Sequence, residues 1–144
     1  MAANDTLTFR AALEPKVYRD IEIAASATLY KLAEAIVTAF GFGFDHAFGF
    51  YSKLTGSYYD SKVKYELFAD MGEPTEGALS VKKTKASEAF PVDKAKSLFV
   101  FDYGDERIFK IERTGSGKKA AGTKYPRVVK SVGEAPEQYP DFEE

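Results

Sequence analysis

Residues 29–40 carry the pattern that most constrains the fold of this chain. Apolar side chains recur there at intervals of three and four residues, which predicts an α-helix with one buried stripe made by Leu29, Leu32, Ala33, Ile36 and Phe40. Thr28 is placed to cap the first turn. Gly41 and Gly43 are placed to end the helix, because glycine accepts the left-handed backbone that follows a helix end. A helix with one apolar stripe has to pack against a second element.

Two segments before this helix alternate apolar and polar residues with a period of two. Leu7, Phe9, Ala11 and Leu13 share one face of the first segment, and Val17, Ile21 and Ile23 share one face of the second. This period predicts two strands, each with one buried face. Glu14-Pro15 marks a turn between them, so the two segments form a predicted N-terminal hairpin.

The rest of the chain predicts further strands. The aromatic-rich segment 42–51 predicts a strand face, and residues 98–101 and 107–112 predict a second hairpin around a turn at 102–105. Residues 115–123 (GSGKKAAGT) predict a flexible loop, and 127–129 a short strand. We therefore predict one α+β domain over residues 1–144, a two-layer, β-grasp-like mixed or antiparallel sheet covered by one main helix, with an acidic end from about residue 134.

Composition excludes several classes of site. The chain has 144 residues, no cysteine and one histidine, which rules out a disulfide framework, a thiol nucleophile and a Cys/His zinc site. We predict no cofactor and no metal. A net charge of −2 does not favour nucleic-acid binding by the domain as a whole, because such binding normally needs a strongly basic surface. The first residues lack an apolar leader pattern, and the longest weakly polar run is too short to cross a membrane, so we predict a cytoplasmic protein.

Candidate catalytic residues are His46, Asp102 and Asp105. His46 follows an aspartate and stands among phenylalanines, which fits either a general base with an orienting carboxylate or a structural histidine. Asp102 and Asp105 flank Gly104, where carboxylates either bind a hard cation or supply acid/base chemistry, or else accept hydrogen bonds from turn amides. The sequence favours the structural interpretation for both groups.

Candidate binding residues lie in two other segments. Tyr58, Tyr59 and Tyr65 fall in a predicted loop and are candidates for a contact surface. Residues 114–133 contain only basic charges, at Lys118, Lys119, Lys124, Arg127 and Lys130, whereas residues 134–144 contain only acidic ones. Such blocks occur in interaction segments and in solvated ends. A protein partner is the favoured prediction, and nucleic-acid binding through the basic segment is an alternative.

Several short motifs together resemble a known family. They occur in this order: Pro15-x-Val17-Tyr18-Arg19, Ala39-Phe40-Gly41-Phe42, His46-Ala47-Phe48-Gly49-Phe50, Phe101-Asp102-Tyr103-Gly104-Asp105, Tyr125-Pro126-Arg127 and Gly133-Glu134-Ala135-Pro136-Glu137. The set is similar to the Ri-plasmid open-reading-frame-three-like family, also described as an insertion-sequence passenger protein (TnpR-like). This chain resembles a divergent member, since Tyr18, Phe42 and Arg107 stand where the family usually has tryptophan, and the C-terminal signature is incomplete.

The resemblance implies a compact α+β domain and no defined reaction. The recurring polar positions of the family correspond to Arg19, His46, Asp102 and Asp105, and we expect Arg19 to pair with one of the two aspartates. The favoured function is a non-enzymatic binding or accessory module that acts through protein contacts. The alternatives are a metal-assisted or acid/base hydrolase that uses His46 with Asp102 and Asp105, and a nucleic-acid-binding domain.

Overall fold

A computed structural model describes residues 5–73 and 76–138 of the chain. These residues form eight strands and three α-helices. The strands are β1 (Asp5–Glu14), β2 (Val17–Ala24), β3 (Phe48–Tyr51), β4 (Lys64–Glu66), β5 (Leu79–Ser80), β6 (Lys96–Phe101), β7 (Arg107–Lys118) and β8 (Arg127–Val132). The helices are α1 (Leu29–Ala39), α2 (Leu67–Asp70) and α3 (Ala86–Ala89).

The eight strands form one sheet in the order β5-β4-β3-β6-β7-β1-β2-β8. Neighbouring strands are antiparallel except for β4 and β5, which are parallel. The predicted α+β class is therefore confirmed, as are the two predicted hairpins. The finer prediction of a β-grasp-like arrangement is not confirmed by this topology.

Helix α1 forms as its sequence pattern predicts. The Thr28 hydroxyl accepts a hydrogen bond from the backbone N–H of Lys31 at 3.2 Å, and Gly41 takes a positive φ of 77° just after the helix. Its buried face carries the predicted apolar residues and also Val37, which the predicted stripe lacks. This face packs on one side of the sheet and closes the main core.

The main core is built largely from phenylalanine. Leu7, Phe9 and Ala11 of β1 alternate with residues that point to the other side of the sheet, as the period of two predicts. Nine buried phenylalanines join this cluster: Phe9, Phe40, Phe42, Phe48, Phe50, Phe90, Phe99, Phe101 and Phe109. The helix-covered face of the sheet is therefore a continuous apolar layer.

The prediction of a flexible loop over residues 115–123 is wrong for its first part. Strand β7 continues through Lys118, and Gly117 lies opposite Thr6 of β1. Small residues have low strand propensity, but pairing along β1 overrides it. The acidic end beyond residue 138 lies outside the described residues. No helix in the described part of the chain is long and apolar enough to cross a membrane.

Candidate functional site

A second aromatic cluster lies on the face of the sheet opposite α1. We call this the helix-free face because α1 does not cover it, and Phe68 of the short helix α2 reaches its edge. We call the cluster the tyrosine surface and define it as Tyr51, Tyr58, Tyr59, Phe68 and Tyr103. Ring centres lie 4.7 Å apart between Tyr51 and Tyr58 and 4.6 Å apart between Tyr58 and Tyr59. Tyr103 stacks on Tyr59 at 6.2 Å and on Phe68 at 5.1 Å. The rings thus form one continuous set of contacts.

Strand β3 explains why this cluster can form. Phe48 and Phe50 point to α1, so Gly49 and Tyr51 point to the helix-free face. A Cβ at Gly49 would lie 2.7 Å from the Tyr103 hydroxyl and 2.8 Å from the Tyr51 hydroxyl. Glycine at this position therefore makes the space in which the two hydroxyls meet.

Both hydroxyls belong to a buried hydrogen-bond network. The Tyr51 hydroxyl donates to Oε2 of Glu66 at 2.5 Å and lies 2.7 Å from the Tyr103 hydroxyl. Glu66 is fully buried and lies opposite Gly49 in the pairing of β3 with β4. A buried carboxylate needs such donors, because leaving it without them carries a large desolvation cost.

Burial is the main reason why these tyrosines keep their protons. It raises the pKa of Tyr51 far above its ordinary value, and the hydrogen bond to Glu66 raises it further. Burial likewise raises the pKa of Tyr103 and of Tyr58, whose hydroxyl donates to Glu106 at 2.8 Å. The hydroxyls therefore act as fixed, neutral donors that orient the rings.

One ring of the tyrosine surface is exposed to solvent. Tyr59 is 41% exposed, whereas Tyr51 beneath it is fully buried. An exposed ring held by neighbouring rings loses little conformational freedom when a second molecule covers it. The tyrosine surface is consequently a pre-organised contact area of the kind that protein interfaces use.

His46 and Asp102, two of the candidate catalytic residues, lie near each other. His46 Nδ1 is 2.6 Å from Oδ1 of Asp45, and Nε2 is 3.6 Å from Oδ2 of Asp102. The hydrogen bond with Asp45 raises the pKa of His46, and the charges of Asp102 and Asp105 add to this effect. Both ring nitrogens face carboxylates, which stabilises the imidazolium rather than a proton-accepting imidazole.

The two aspartates of the 102–105 turn make the contacts of a structural turn. Asp102 has a positive φ of 63°, and its Oδ1 accepts hydrogen bonds from the backbone N–H groups of Gly104 and Asp105 at 3.2 and 3.3 Å. An aspartate with these bonds fixes the turn. Within residues 5–73 and 76–138, no group of three or more His, Asp or Glu side chains has a geometry that could hold a metal ion.

The expected pairing of Arg19 with Asp102 or Asp105 is wrong. Arg19 is 7% exposed, and its guanidinium lies 4.8 Å from the centre of the Phe40 ring. It donates hydrogen bonds to the backbone carbonyls of Tyr18, Ala39, Val132 and Gly133 at 2.9–3.3 Å. Arg19 thus joins β2, the end of α1 and the end of β8.

The predicted basic segment is partly neutralised by acidic neighbours. Lys118 forms an ion pair with Asp5, and Arg127 contacts the Glu22 carboxylate at 2.8 Å. The other three cations of the segment, Lys119, Lys124 and Lys130, are exposed. Pairing across the sheet therefore reduces the positive charge that a polyanion would meet.

Phe42 and Arg107, two of the positions where the family resemblance leads us to expect tryptophan, contact each other. The Arg107 guanidinium lies 5.5 Å from the centre of the Phe42 ring and also donates to the carbonyls of Glu137 and Gln138 at 2.9 and 2.8 Å. Tyr18, the third of these positions, carries the Arg10 guanidinium at 3.9 Å from its ring centre. Cation–π contacts therefore occupy the three positions where tryptophan is usual.

Sequence reasoning missed the centre of the tyrosine surface. It singled out Tyr58, Tyr59 and Tyr65 but not Tyr51, Glu66 or Tyr103. Tyr65 lies in β4 and packs against the main core, not in the tyrosine surface. The alternation in Phe48-Gly49-Phe50-Tyr51 is a signal that could have placed Tyr51 away from the phenylalanines. The position of Glu66 beside it depends on the register of β3 and β4.

Comparisons with known proteins place the chain in a family without a described activity. A crystal structure of a protein of unknown function from Methanosarcina mazei Go1 has the same fold, with a TM-score of 0.72 and 19% identity, over 94% of this chain and 73% of that one. No curated protein matches the chain. The family model described as "Plasmid pRiA4b ORF-3-like protein" matches residues 7–139. The chain therefore belongs to the plasmid pRiA4b ORF-3-like family.

Proposed function

We propose that this protein is a non-enzymatic binding module that holds a protein partner through the tyrosine surface. The observation that carries the proposal is the exposed Tyr59 ring, which rests on a buried network of Tyr51, Tyr103 and Glu66. Tyrosine is enriched at protein interfaces because one ring supplies apolar area and a polar tip at small entropic cost.

The chemistry around His46 favours this proposal over a hydrolase. A general base needs a lone pair directed at a substrate or a nucleophile. Here the two imidazole nitrogens face Asp45 and Asp102, and Asp102 is engaged by turn amides. The group therefore supports a structural clasp between the residues before β3 and those after β6.

The cellular setting is part of the same proposal. Family membership links the chain to plasmid-borne reading frames, and an accessory role in a mobile element agrees with a module that acts through contacts.

Site-specific photo-crosslinking tests the proposal. A photoreactive phenylalanine analogue is placed at position 59, and separately at the exposed Val92 as a matched control, in the host cell. We expect a discrete crosslinked protein at position 59 that is absent at position 92. The purified partner should then bind the wild-type chain and lose about tenfold or more in affinity to Tyr59→Ser, as expected for an interface aromatic.

Two results would refute this function. One is a crosslinked partner whose purified form binds wild type and Tyr59→Ser equally well. The other is the absence of any specific partner together with a measurable hydrolytic turnover that His46→Ala abolishes. The second result would establish the hydrolase instead.

A further inference from the structure

A groove lies at the opposite end of the sheet from β5, between α1 and the edge strand β8. It has a volume of about 450 Å³ and is lined by Ile21, Ala35, Thr38, Ala39, Pro126 and Val128, together with the charged residues Glu34 and Arg127. Small side chains on α1 leave this space open beside the sheet. The groove is distinct from the tyrosine surface, because none of the residues that line the groove belongs to that surface.

Among residues 5–73 and 76–138, strand β8 is hydrogen-bonded to β2 on one side and has no neighbouring strand on the other, since it ends the strand order of the sheet. Val128 is 46% exposed and Val129 is 45% exposed. An edge strand with exposed apolar side chains offers backbone groups and side-chain contacts to an added extended segment. The edge and the groove together therefore suit a peptide in the β conformation.

The two faces of β8 differ in chemistry. Val128 lies opposite Ile21 and lines the groove, and Arg127 also lines it while it pairs with Glu22. Lys130 lies opposite Asp20, and its ammonium is 5.8 Å from the centre of the Tyr18 ring, on the face of the sheet opposite α1. A strand added beside β8 alternates its side chains between the same two faces. Its groove-facing residues would meet a largely apolar surface, and its other residues would meet Lys130.

The charges along β8 indicate which kind of segment can bind at this edge. Strand β8 contains two cations and no acidic residue, and the loop before it adds Lys119 and Lys124. A second copy of β8 would bring two further cations against these, and like charges opposite each other destabilise a strand pair.

We propose that the β8 edge and the adjoining groove bind an extended segment of a partner protein in which apolar and acidic residues alternate. The segment adds to the sheet as a ninth strand. Its apolar side chains enter the groove between α1 and β8, and its carboxylates face Lys130 on the other side of the strand.

Peptide selection on the whole protein tests this inference. Random displayed peptides are selected on the immobilised full chain, and the recovered peptides are synthesised and titrated by fluorescence anisotropy. Thr38→Trp fills the groove, and Lys130→Glu reverses the charge beside the edge. Thr55→Trp and Lys62→Glu are the matched controls, since both sites are exposed loop positions outside the groove lining.

We expect the recovered peptides to alternate apolar and acidic residues. Thr38→Trp and Lys130→Glu should each weaken their binding about tenfold or more, and the two controls should leave it unchanged. Raising the salt concentration should weaken binding to the wild type, and bound peptide should slow amide hydrogen exchange in residues 127–132. Tyr59→Ser should not change the affinity, which separates this result from the test of the tyrosine surface.

Several outcomes would overturn the inference. These are a selection that yields no binding peptide, a selection that yields peptides without acidic residues, and peptides that bind Thr38→Trp and Lys130→Glu as tightly as wild type. A dimer in size-exclusion chromatography with light scattering that Lys130→Glu strengthens would assign the edge to a second copy. Unfolding curves of the four variants confirm that each is folded before it is titrated.

Discussion

The two faces of the sheet use aromatic rings in opposite ways. Under α1 the rings are almost all phenylalanine, with no hydroxyl to satisfy, and they are sealed from solvent. On the helix-free face the rings are mainly tyrosine, and their hydroxyls reach Glu66 and Glu106. A phenylalanine layer is held by packing alone, whereas a tyrosine layer also needs polar partners, which fix its geometry while one ring stays exposed.

This difference explains why the contact surface that we propose lies on the face of the sheet opposite α1. The rings under α1 are buried and offer no exposed area to a partner. The tyrosine surface keeps Tyr59 accessible and anchors it through buried neighbours. Aromatic residues thus build the core on one face and form a partly exposed cluster on the other.

The largest expected effect is the loss of a ring from the helix-covered face. Phe99 is fully buried, and its ring centre lies 4.8 Å from that of Phe50 and 5.5 Å from that of Phe109. Phe99→Ala should lower the free energy of unfolding by about 3–5 kcal/mol, through lost burial and the cavity left behind. Urea unfolding measures this. A loss below about 1 kcal/mol would mean that the phenylalanine layer is not the main source of stability.

The next effect tests the space that Gly49 leaves for the two hydroxyls. Gly49→Ala places a Cβ within 3 Å of Tyr51 and Tyr103 and should cost about 1–3 kcal/mol through overpacking. Gly115→Ala is the matched control, because a Cβ there meets nothing within 4 Å. If the two variants have equal stability in urea, the tyrosine network does not depend on the close approach at Gly49.

The hairpins and α1 were predictable from sequence because their signals are local. Thr28, the apolar stripe and Gly41 all lie within one turn or one repeat of the element that they define. The continuation of β7 was not predictable, since residues 115–118 contain two glycines and become a strand only by pairing with β1. Tertiary pairing there overrides intrinsic propensity.

The candidate site shows the same limit more strongly. The proximity of His46 to Asp102 depends on the pairing of β3 with β6, which joins positions far apart in the chain. The carbonyl partners of Arg19 at Val132 and Gly133 are more than a hundred residues away, so an arginine expected to bind carboxylate binds backbone instead. The sequence does not show which backbone carbonyls will lie near a given side chain in the fold.

Two tyrosine variants compare a buried hydrogen bond of the tyrosine surface with an exposed one. Tyr51→Phe removes a donor from the buried Glu66 and should cost about 1–3 kcal/mol, whereas Tyr58→Phe removes a similar bond to the exposed Glu106 and should cost less. Urea unfolding at neutral pH measures both. Equal costs would contradict the buried network.

Tyr51→Phe also tests a predicted pH dependence of the free energy of unfolding. The pKa of Tyr51 is raised in the folded protein above its ordinary value of 10.0, so an unfolded tyrosine ionises first as pH rises. The stability that this group contributes is therefore present below about pH 10 and is lost at higher pH. We expect wild-type stability to fall above about pH 10 and Tyr51→Phe to reduce that fall. An identical fall in both proteins would show that Tyr51 ionises equally in the two states.

The smallest expected effect is at the turn where the chain passes from one aromatic layer to the other. Asp102 lies between Phe101 of the helix-covered layer and Tyr103 of the tyrosine surface, and His46 lies against it. The hydrogen bond with Asp45 raises the pKa of His46 above 6.5, so the stabilisation that His46 contributes is fully present below that pH and is lost as pH rises through the folded pKa.

His46→Gln should lower the free energy of unfolding by about 0.2–1 kcal/mol at about pH 5.5 and by almost nothing at about pH 8.5, since the imidazole is partly exposed. Lys31→Gln is the control, because it removes an exposed ion pair with Glu34 that does not involve the histidine. If His46→Gln has the same cost at both pH values, the histidine supports this turn by shape and not by charge.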